Sequence, residues 1–219
     1  MDVMGDKATL FESGRFAQAS GEEPSRDEMT DMGEAAEEVR LGLAAQNGDA
    51  EAASVLGAML LRRGDLDGAE PQLRAATAAG DRAAANNLGV LLHQRGYPEE
   101  AAGWWRIAAV AGSAAAAHAL GRYHRERGDE PAAEYWLRQS AEQGHVLGAY
   151  ALADLLEHRG DVGAEHWMRA AAERGHREAA YRLARALDTA GREDEADNAV
   201  AEAEQWYRQA AARGHRRAA

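Results

Sequence analysis

Apolar residues recur at a fixed spacing from Gly48 to the end of the chain. Small residues lie three positions before and one position after a central leucine in each copy, which is the spacing of a helix face and not the alternation of a strand. Successive leucines are 32, 32, 32 and 31 residues apart, at Leu56, Leu88, Leu120, Leu152 and Leu183. The pattern therefore predicts one amphipathic first helix in every copy.

Glycines divide each copy into two helices. One glycine follows the central leucine by eight residues, at Gly64, Gly96, Gly128, Gly160 and Gly191. A second glycine closes the copy, at Gly80, Gly112, Gly144, Gly175 and Gly214. Glycine suits the left-handed conformation that ends many helices. In the last copy these two glycines are further apart, which predicts a second helix about two turns longer.

A repeat period in the thirties is the sequence signature of a helical solenoid. We predict an all-α fold, an α-solenoid of about five antiparallel helix pairs after one capping helix, because no strand pattern occurs. The predicted boundaries are a disordered acidic tail at 1–30 and a solenoid at 31–219. Within the solenoid we expect the capping helix at 31–47 and repeats at 48–79, 80–111, 112–143, 144–174 and 175–219.

The tail is polar and acidic, a composition typical of disorder, yet it holds both phenylalanines of the chain. Leu10, Phe11 and Phe16 are either incidental residues of an unstructured tail or a short docking segment. As a docking segment they would enter the groove of this protein or bind a partner.

Each copy closes on a shared motif, seen clearly in Trp167, Arg169, Ala171 and Gly175. The motif resembles the Sel-one-like repeat, a relative of the tetratricopeptide repeat, over about 170 of 219 residues. The resemblance implies a right-handed superhelix, a concave groove lined by the first helices, and an adaptor for protein complexes. The chain lacks the extra loop residues of that family and the cysteines of its secreted members, so a hydrolase-like activity does not carry over.

Composition narrows the classes of partner. A net charge of −12 opposes binding to nucleic acid or to an anionic membrane. The chain has no cysteine and no apolar run of signal-peptide length, so we expect a cytoplasmic protein. Lys7 is the only lysine among 25 basic residues, a bias that indicates a GC-rich bacterial genome.

Candidate chemistry is sparse. His145, His176 and His215 all follow a closing glycine, so they are one repeat position and are interpreted as helix-start residues, not metal ligands. Motifs for metal, phosphate or nucleophile chemistry are absent from the sequence. We predict a protein that is not an enzyme, with no cofactor and no metal. The recurring tryptophans and arginines are interpreted as packing residues.

Residues that vary between copies on one stripe of the first helices are the candidate binding site, because functional positions in a solenoid are those that differ between copies. The stripe comprises Asn86, Val90, His93, His118, Arg122, Arg125, Tyr150, Asp154, Tyr181 and Arg185. Its central histidine and arginines predict a basic patch for a peptide or helix of another protein, in particular an acidic segment or a C-terminal carboxylate. The alternatives are a small hydrolase-like or ligand-binding protein and a structural subunit of a larger assembly.

Overall fold

The computed structural model describes residues 26–194 and 197–212, which contain eleven helices and no strand. The helices are α1 Arg26–Gln46, α2 Ala50–Arg63, α3 Leu66–Ala78, α4 Arg82–Gln94, α5 Pro98–Val110, α6 Ala114–Glu126, α7 Glu130–Glu142, α8 Val146–Arg159, α9 Ala164–Glu173, α10 Arg177–Asp194 and α11 Asp197–Ala212. The all-α prediction is confirmed. In these ranges no helix is long and apolar enough to cross a bilayer.

The chain divides into two compact units, Met1–Glu38 and Val39–Ala219. In the first unit the described part is helical from Arg26, five residues before the predicted start of the capping helix at 31. The segment from 26 to 46 contains no proline, so nothing in its sequence stops the helix from extending over part of the predicted tail. Leu10, Phe11 and Phe16 lie outside the described residues.

The second unit holds five helix pairs, as predicted: α2 with α3, α4 with α5, α6 with α7, α8 with α9, and α10 with α11. We call these pairs units one to five and their members first and second helices. Neighbouring first helices also contact each other, α2 with α4 and α6 with α8. The first helices of adjacent units therefore lie side by side.

The turn glycines end the first helices in the left-handed conformation, with φ of 83° at Gly64 and 75° at Gly160. Gly191 is different, because α10 continues through it to Asp194. The prediction of a turn there is wrong, since an interior glycine costs a helix only about 1 kcal/mol. The added residues of unit five also lengthen both of its helices, α10 to 18 and α11 to 16 residues, and not the second helix alone.

The central leucines of the five copies lie in the core, as their spacing predicts. Leu88, Leu120 and Leu152 are fully buried, and Leu56 and Leu183 nearly so. In units one to three the glycine beside the leucine receives a bulky side chain from the second helix of the same unit. At Gly121 an added Cβ atom would lie 2.6 Å from Cγ of Leu137, so glycine is needed for this close approach.

Ion pairs join the second helices of units one to three to the end of the next first helix. Arg95 contacts Asp67 and Glu70, Arg127 contacts Glu99, and the Arg159 guanidinium lies 2.8 Å from Glu134. The predicted packing arginines behave similarly: Arg74 and Arg138 pair with the glutamate four residues earlier. Such partly exposed pairs contribute at most about 1 kcal/mol each, so they fix the spacing of the units more than they stabilise them.

Candidate binding surface

The predicted stripe lies on the first helices of units two to five, and its residues fall into separate groups. Val90, His93 and Arg122 line one cavity between units two and three. Arg125, Tyr150 and Asp154 belong to an ion network further along. His118 contacts His145, and Tyr181 contacts Tyr207. Asn86 is half-buried on α4 and Arg185 is exposed on α10. Neither lines the cavity.

We call the cavity between units two and three the Trp105 cavity. It has a volume of about 200 Å³ and is lined by Val90, His93 and Gln94 of α4, Trp105 of α5, and Ala119, Arg122, Tyr123 and Glu126 of α6. Val90, Trp105, Ala119 and Tyr123 make it apolar or aromatic inside. The remaining side chains supply polar groups around it.

Trp105 closes the cavity from the second-helix side. Its side chain is 5% exposed, and the His93 ring lies 5.5 Å from the indole between centroids. Units one and three have leucine at this position, Leu73 and Leu137. As in units one and three, the facing residue is glycine: a Cβ atom at Gly89 would lie 2.5 Å from the indole nitrogen, so the indole needs glycine at this position.

The second group is an ion network across three first helices. The two carboxylate oxygens of Asp154 on α8 meet different arginines: Oδ2 lies 3.3 Å from Nη1 of Arg125 on α6, and Oδ1 lies 2.8 Å from Nη1 of Arg182 on α10. Arg182 also donates to the Tyr150 hydroxyl oxygen at 3.1 Å and pairs with Glu157. The network holds units three, four and five together.

The basic patch predicted around His118 is weaker than the sequence indicates. Burial, aided by nearby His145 and Arg122, lowers the pKa of His118 to about 4, so the ring is neutral at pH 7. Arg125 faces Asp154, and Arg122 lies 3.3 Å from Glu126. Arg122 is the cation of this group that lies at the cavity, in an exposed pair that a ligand can replace at little cost.

The histidines after the closing glycines are helix caps, as predicted. The backbone N–H of Gly148 donates to Nδ1 of His145, and that of Ala179 donates to Nδ1 of His176, both at 3.1 Å. Burial lowers the pKa of both rings, which keeps Nδ1 free to accept. His215 lies outside the described residues. In the described ranges no three His, Asp or Glu side chains are grouped to hold a metal ion.

The sequence prediction missed several residues at these sites: Gln94, Trp105, Ala119, Tyr123, Glu126 and Arg182. Ala119 and Tyr123 lie beside the predicted stripe, on the edge that faces unit two. A wider stripe would have included them. The substitution of tryptophan for leucine at 105 was visible in the repeat, but its link to a cavity depends on packing between units.

Comparison with known proteins agrees with the repeat assignment. Residues 113–142 match the tetratricopeptide repeat family model. No curated protein matches this sequence. A protective antigen of uropathogenic Escherichia coli with an SLR fold is 26% identical, with a TM-score of 0.68 over 83% of this chain. This chain spans 42% of the length of that antigen.

Two further solved structures share the fold. A Sel1 repeat protein from Oxalobacter formigenes is 24% identical with a TM-score of 0.60, over 78% of this chain and 74% of that one. YrrB, a TPR protein with an unusual peptide-binding site, is 17% identical with a TM-score of 0.51, over 79% and 90% of the two chains. The chain therefore has the helical repeat fold of Sel1 and TPR proteins, which agrees with the resemblance of its motif.

Proposed function

We propose that this protein is a non-catalytic interaction module that binds a peptide or helix of a partner protein on its first-helix face. Helical repeat folds of this type generally serve as protein-interaction scaffolds. The Trp105 cavity is the observation that carries the proposal, because it is an apolar recess on the face where the repeats differ most. We expect the partner to be cytoplasmic, in line with the composition.

The chemistry of the cavity specifies an anchor residue. Its apolar lining and volume of about 200 Å³ suit a single aliphatic or aromatic side chain. Arg122 at its edge favours a carboxylate next to that anchor, because guanidinium groups bind carboxylates with charge-assisted hydrogen bonds. The ligand is therefore an apolar residue beside Asp, Glu or a C-terminal carboxylate.

Trp105 supports a binding role for the cavity. Its indole Nε1 is buried and has no hydrogen-bond partner among the described residues, which costs about 1–3 kcal/mol. Leucine packs at the same position in units one and three without that cost. A residue that is unfavourable for packing and yet lines the recess is consistent with selection for binding.

Selection from a displayed library of random peptides tests this proposal. Peptides enriched on the wild-type protein should carry a large apolar residue near an acidic one. Synthetic copies, measured by fluorescence anisotropy, should bind at least about tenfold more weakly to Ala119→Leu, which fills the cavity, and to Arg122→Glu, which reverses its charge.

Two matched variants serve as controls. Ala115→Leu adds the same atoms one turn earlier on α6, at an exposed position outside the cavity, and Arg106→Glu reverses an exposed charge on α5. Both should change the affinity less than about twofold. The proposal is wrong if no peptide is enriched, or if the filled variant binds as well as the wild type while its circular dichroism melt is unchanged.

A further inference from the structure

Unit four departs from the other units at the start of its second helix. In units one to three the second helix begins two residues after the turn glycine, at Leu66, Pro98 and Glu130. In unit four it begins at Ala164, four residues after Gly160, and has 10 residues in place of 13. The repeat step is one residue shorter here, so the first turn of α9 is missing.

Capping at this point is also different. The Asp65 carboxylate accepts a hydrogen bond from the N–H of Gly68 at 2.9 Å and thereby starts α3. Asp161 holds the corresponding place, but its carboxylate accepts from Nε of Arg159 at 2.9 Å. Gly163 precedes α9 and provides no side-chain cap. Without this cap the residues from 161 to 163 form a turn in place of helix.

A second change removes volume from the same place. The residue three positions after the central leucine is large in units two to four, at Leu91, Tyr123 and Leu155. The corresponding residue of unit five is Ala186, which is exposed. A short α9 and a small residue on α10 thus face each other across the junction between units four and five.

The two changes together open a cavity of about 550 Å³, which we call the Met168 cavity. Its apolar lining includes Ala164 and Met168 of α9 and Leu183 and Ala186 of α10. Val162 lines it as well, yet the valine side chain is fully exposed, whereas Leu66 at the same repeat position packs against the core. Both a recess and an uncovered apolar side chain therefore face the solvent at one point.

The charged side chains that line the Met168 cavity are mostly acidic. Glu157, Asp161 and Glu165 line it, against one cation, Arg182. That arginine is already held by Asp154, Tyr150 and Glu157. The three carboxylates are also paired, Glu157 with Arg182, Asp161 with Arg159 and Glu165 with Arg169, in exposed pairs that a ligand cation can replace at little cost. Arg159 and Arg169 do not line the cavity, so a ligand group at its rim meets three carboxylates and one guanidinium group.

We infer that the Met168 cavity is a second docking site, separate from the first-helix face, for a basic segment of a partner protein. A large apolar residue of that segment fills the recess between Met168, Leu183 and Ala186. Arginine or lysine residues beside it contact the carboxylates of Glu157, Asp161 and Glu165. A small ligand inside the recess would leave Val162 in water, whereas a peptide laid across the opening covers it.

The experiment is a display selection with a built-in competitor. Random peptides are selected on the wild-type protein in the presence of excess soluble Ala186→Leu variant, so that only sequences that need the cavity survive. This variant restores the large side chain found in units two to four, so it should fold and melt like the wild type. We expect survivors with Leu, Phe or Trp flanked by Arg or Lys.

Point variants then show where a synthetic copy of a selected peptide binds. Glu165→Lys and Val162→Ser should weaken it at least about tenfold. Glu173→Lys, near the other end of α9, and Val110→Ser, an exposed valine on α5, are the matched controls and should have no effect. Ala119→Leu should also leave it unchanged, which separates this site from the Trp105 cavity.

Three results would overturn the inference. The selection gives no peptide that distinguishes the wild type from Ala186→Leu, or the survivors are acidic, or Glu165→Lys binds them as tightly as Glu173→Lys does. Sedimentation at increasing concentration provides a further check. Self-association that Ala186→Leu abolishes would mean that the occupant is a second copy of this chain.

Discussion

Units three and four follow the same repeat pattern but differ in how completely they are packed. Between units three and four the space at the start of the second helix is about 300 Å³ and is lined by charged groups, among them Arg125, Glu130 and Asp154. Between units four and five the corresponding space is about 550 Å³, and Val162, Met168, Leu183 and Ala186 line it together with charged groups. Loss of one residue and one large side chain therefore accompanies a larger space, which more apolar side chains line.

This difference shows where a solenoid acquires specific surfaces. The regular part of the repeat encodes packing, since the central leucines are buried in all five units, as are the glycines that follow them at Gly57, Gly89 and Gly121. Deviations from it are tolerated because each unit contacts only its neighbours. Both recesses described above lie at deviations: tryptophan for leucine at 105, and alanine for a large residue at 186.

The largest expected difference between units three and four is in the free energy of unfolding that is lost when a core side chain is truncated. Leu137 of unit three is fully buried against Gly121, so Leu137→Ala should lower the free energy of unfolding by about 3–5 kcal/mol. Met168 holds the same repeat position in unit four but lines the open cavity. Met168 is also buried, with 5% exposed, but its truncation enlarges an existing opening, so Met168→Ala should cost about 2 kcal/mol, the lower end of the range for such changes.

Urea unfolding followed by circular dichroism measures both changes. In an array with nearest-neighbour coupling, the Leu137 variant is also expected to split the transition in two. Equal losses for the two variants would mean that unit four is packed as tightly as unit three, which contradicts the comparison.

The sequence predicts the fold well because repeat packing is local. Each helix is determined by residues within one unit, so the leucine and glycine spacing indicates five pairs and most of their boundaries. The prediction fails at Gly191, where the helix continues. Unit five is longer than the other units, so the glycine spacing of those units does not apply to it. The helix α1 begins at Arg26, before the predicted start at 31. The acidic stretch punctuated by Gly21 and Pro24 was interpreted as disorder up to residue 30, but residues 26–30 contain neither proline nor glycine.

The binding surface is less predictable because it depends on contacts between units. Helical periodicity identifies the first helices as the variable face, but it does not show that Arg125 meets Asp154 or that Arg182 joins Tyr150 to the same carboxylate. These partners are 28 to 32 residues apart in sequence. The charge of the predicted basic patch was overestimated for this reason.

Removal of the aspartate before the second helix should have a smaller effect on the free energy of unfolding, and this effect should differ between units one and four. Asp65 starts α3 in regular unit one through its bond to Gly68, so Asp65→Ala should cost about 1 kcal/mol. Asp161→Ala in unit four removes only an exposed pair with Arg159 and should cost less than about 0.5 kcal/mol. Thermal melts of the two variants at neutral pH make the comparison. A larger loss at Asp161 would show that it caps α9 in solution.

The smallest expected effect concerns pH. The first helix of unit three is capped by the Ser113 hydroxyl, which accepts from the N–H of Ala116 at 3.3 Å and does not titrate. The first helix of unit four is capped by Nδ1 of His145, which accepts only while unprotonated. Burial lowers the pKa of His145 below its ordinary value of 6.5, because the folded state favours the neutral ring.

The sign of the pH effect follows from that lowered pKa. The unfolded chain binds the proton more readily, so the stabilisation by His145 is complete above pH 6.5 and is lost as the pH falls through the pKa of the folded state. His145→Asn keeps a capping side chain without a titrating group. Between pH 7.5 and pH 5 the wild type should therefore lose more free energy of unfolding than this variant, by up to about 1 kcal/mol, in urea titrations at each pH. Ser113→Asn is the matched control and should lose as much as the wild type does; an identical pH dependence for His145→Asn would mean that the ring does not cap α8 in solution.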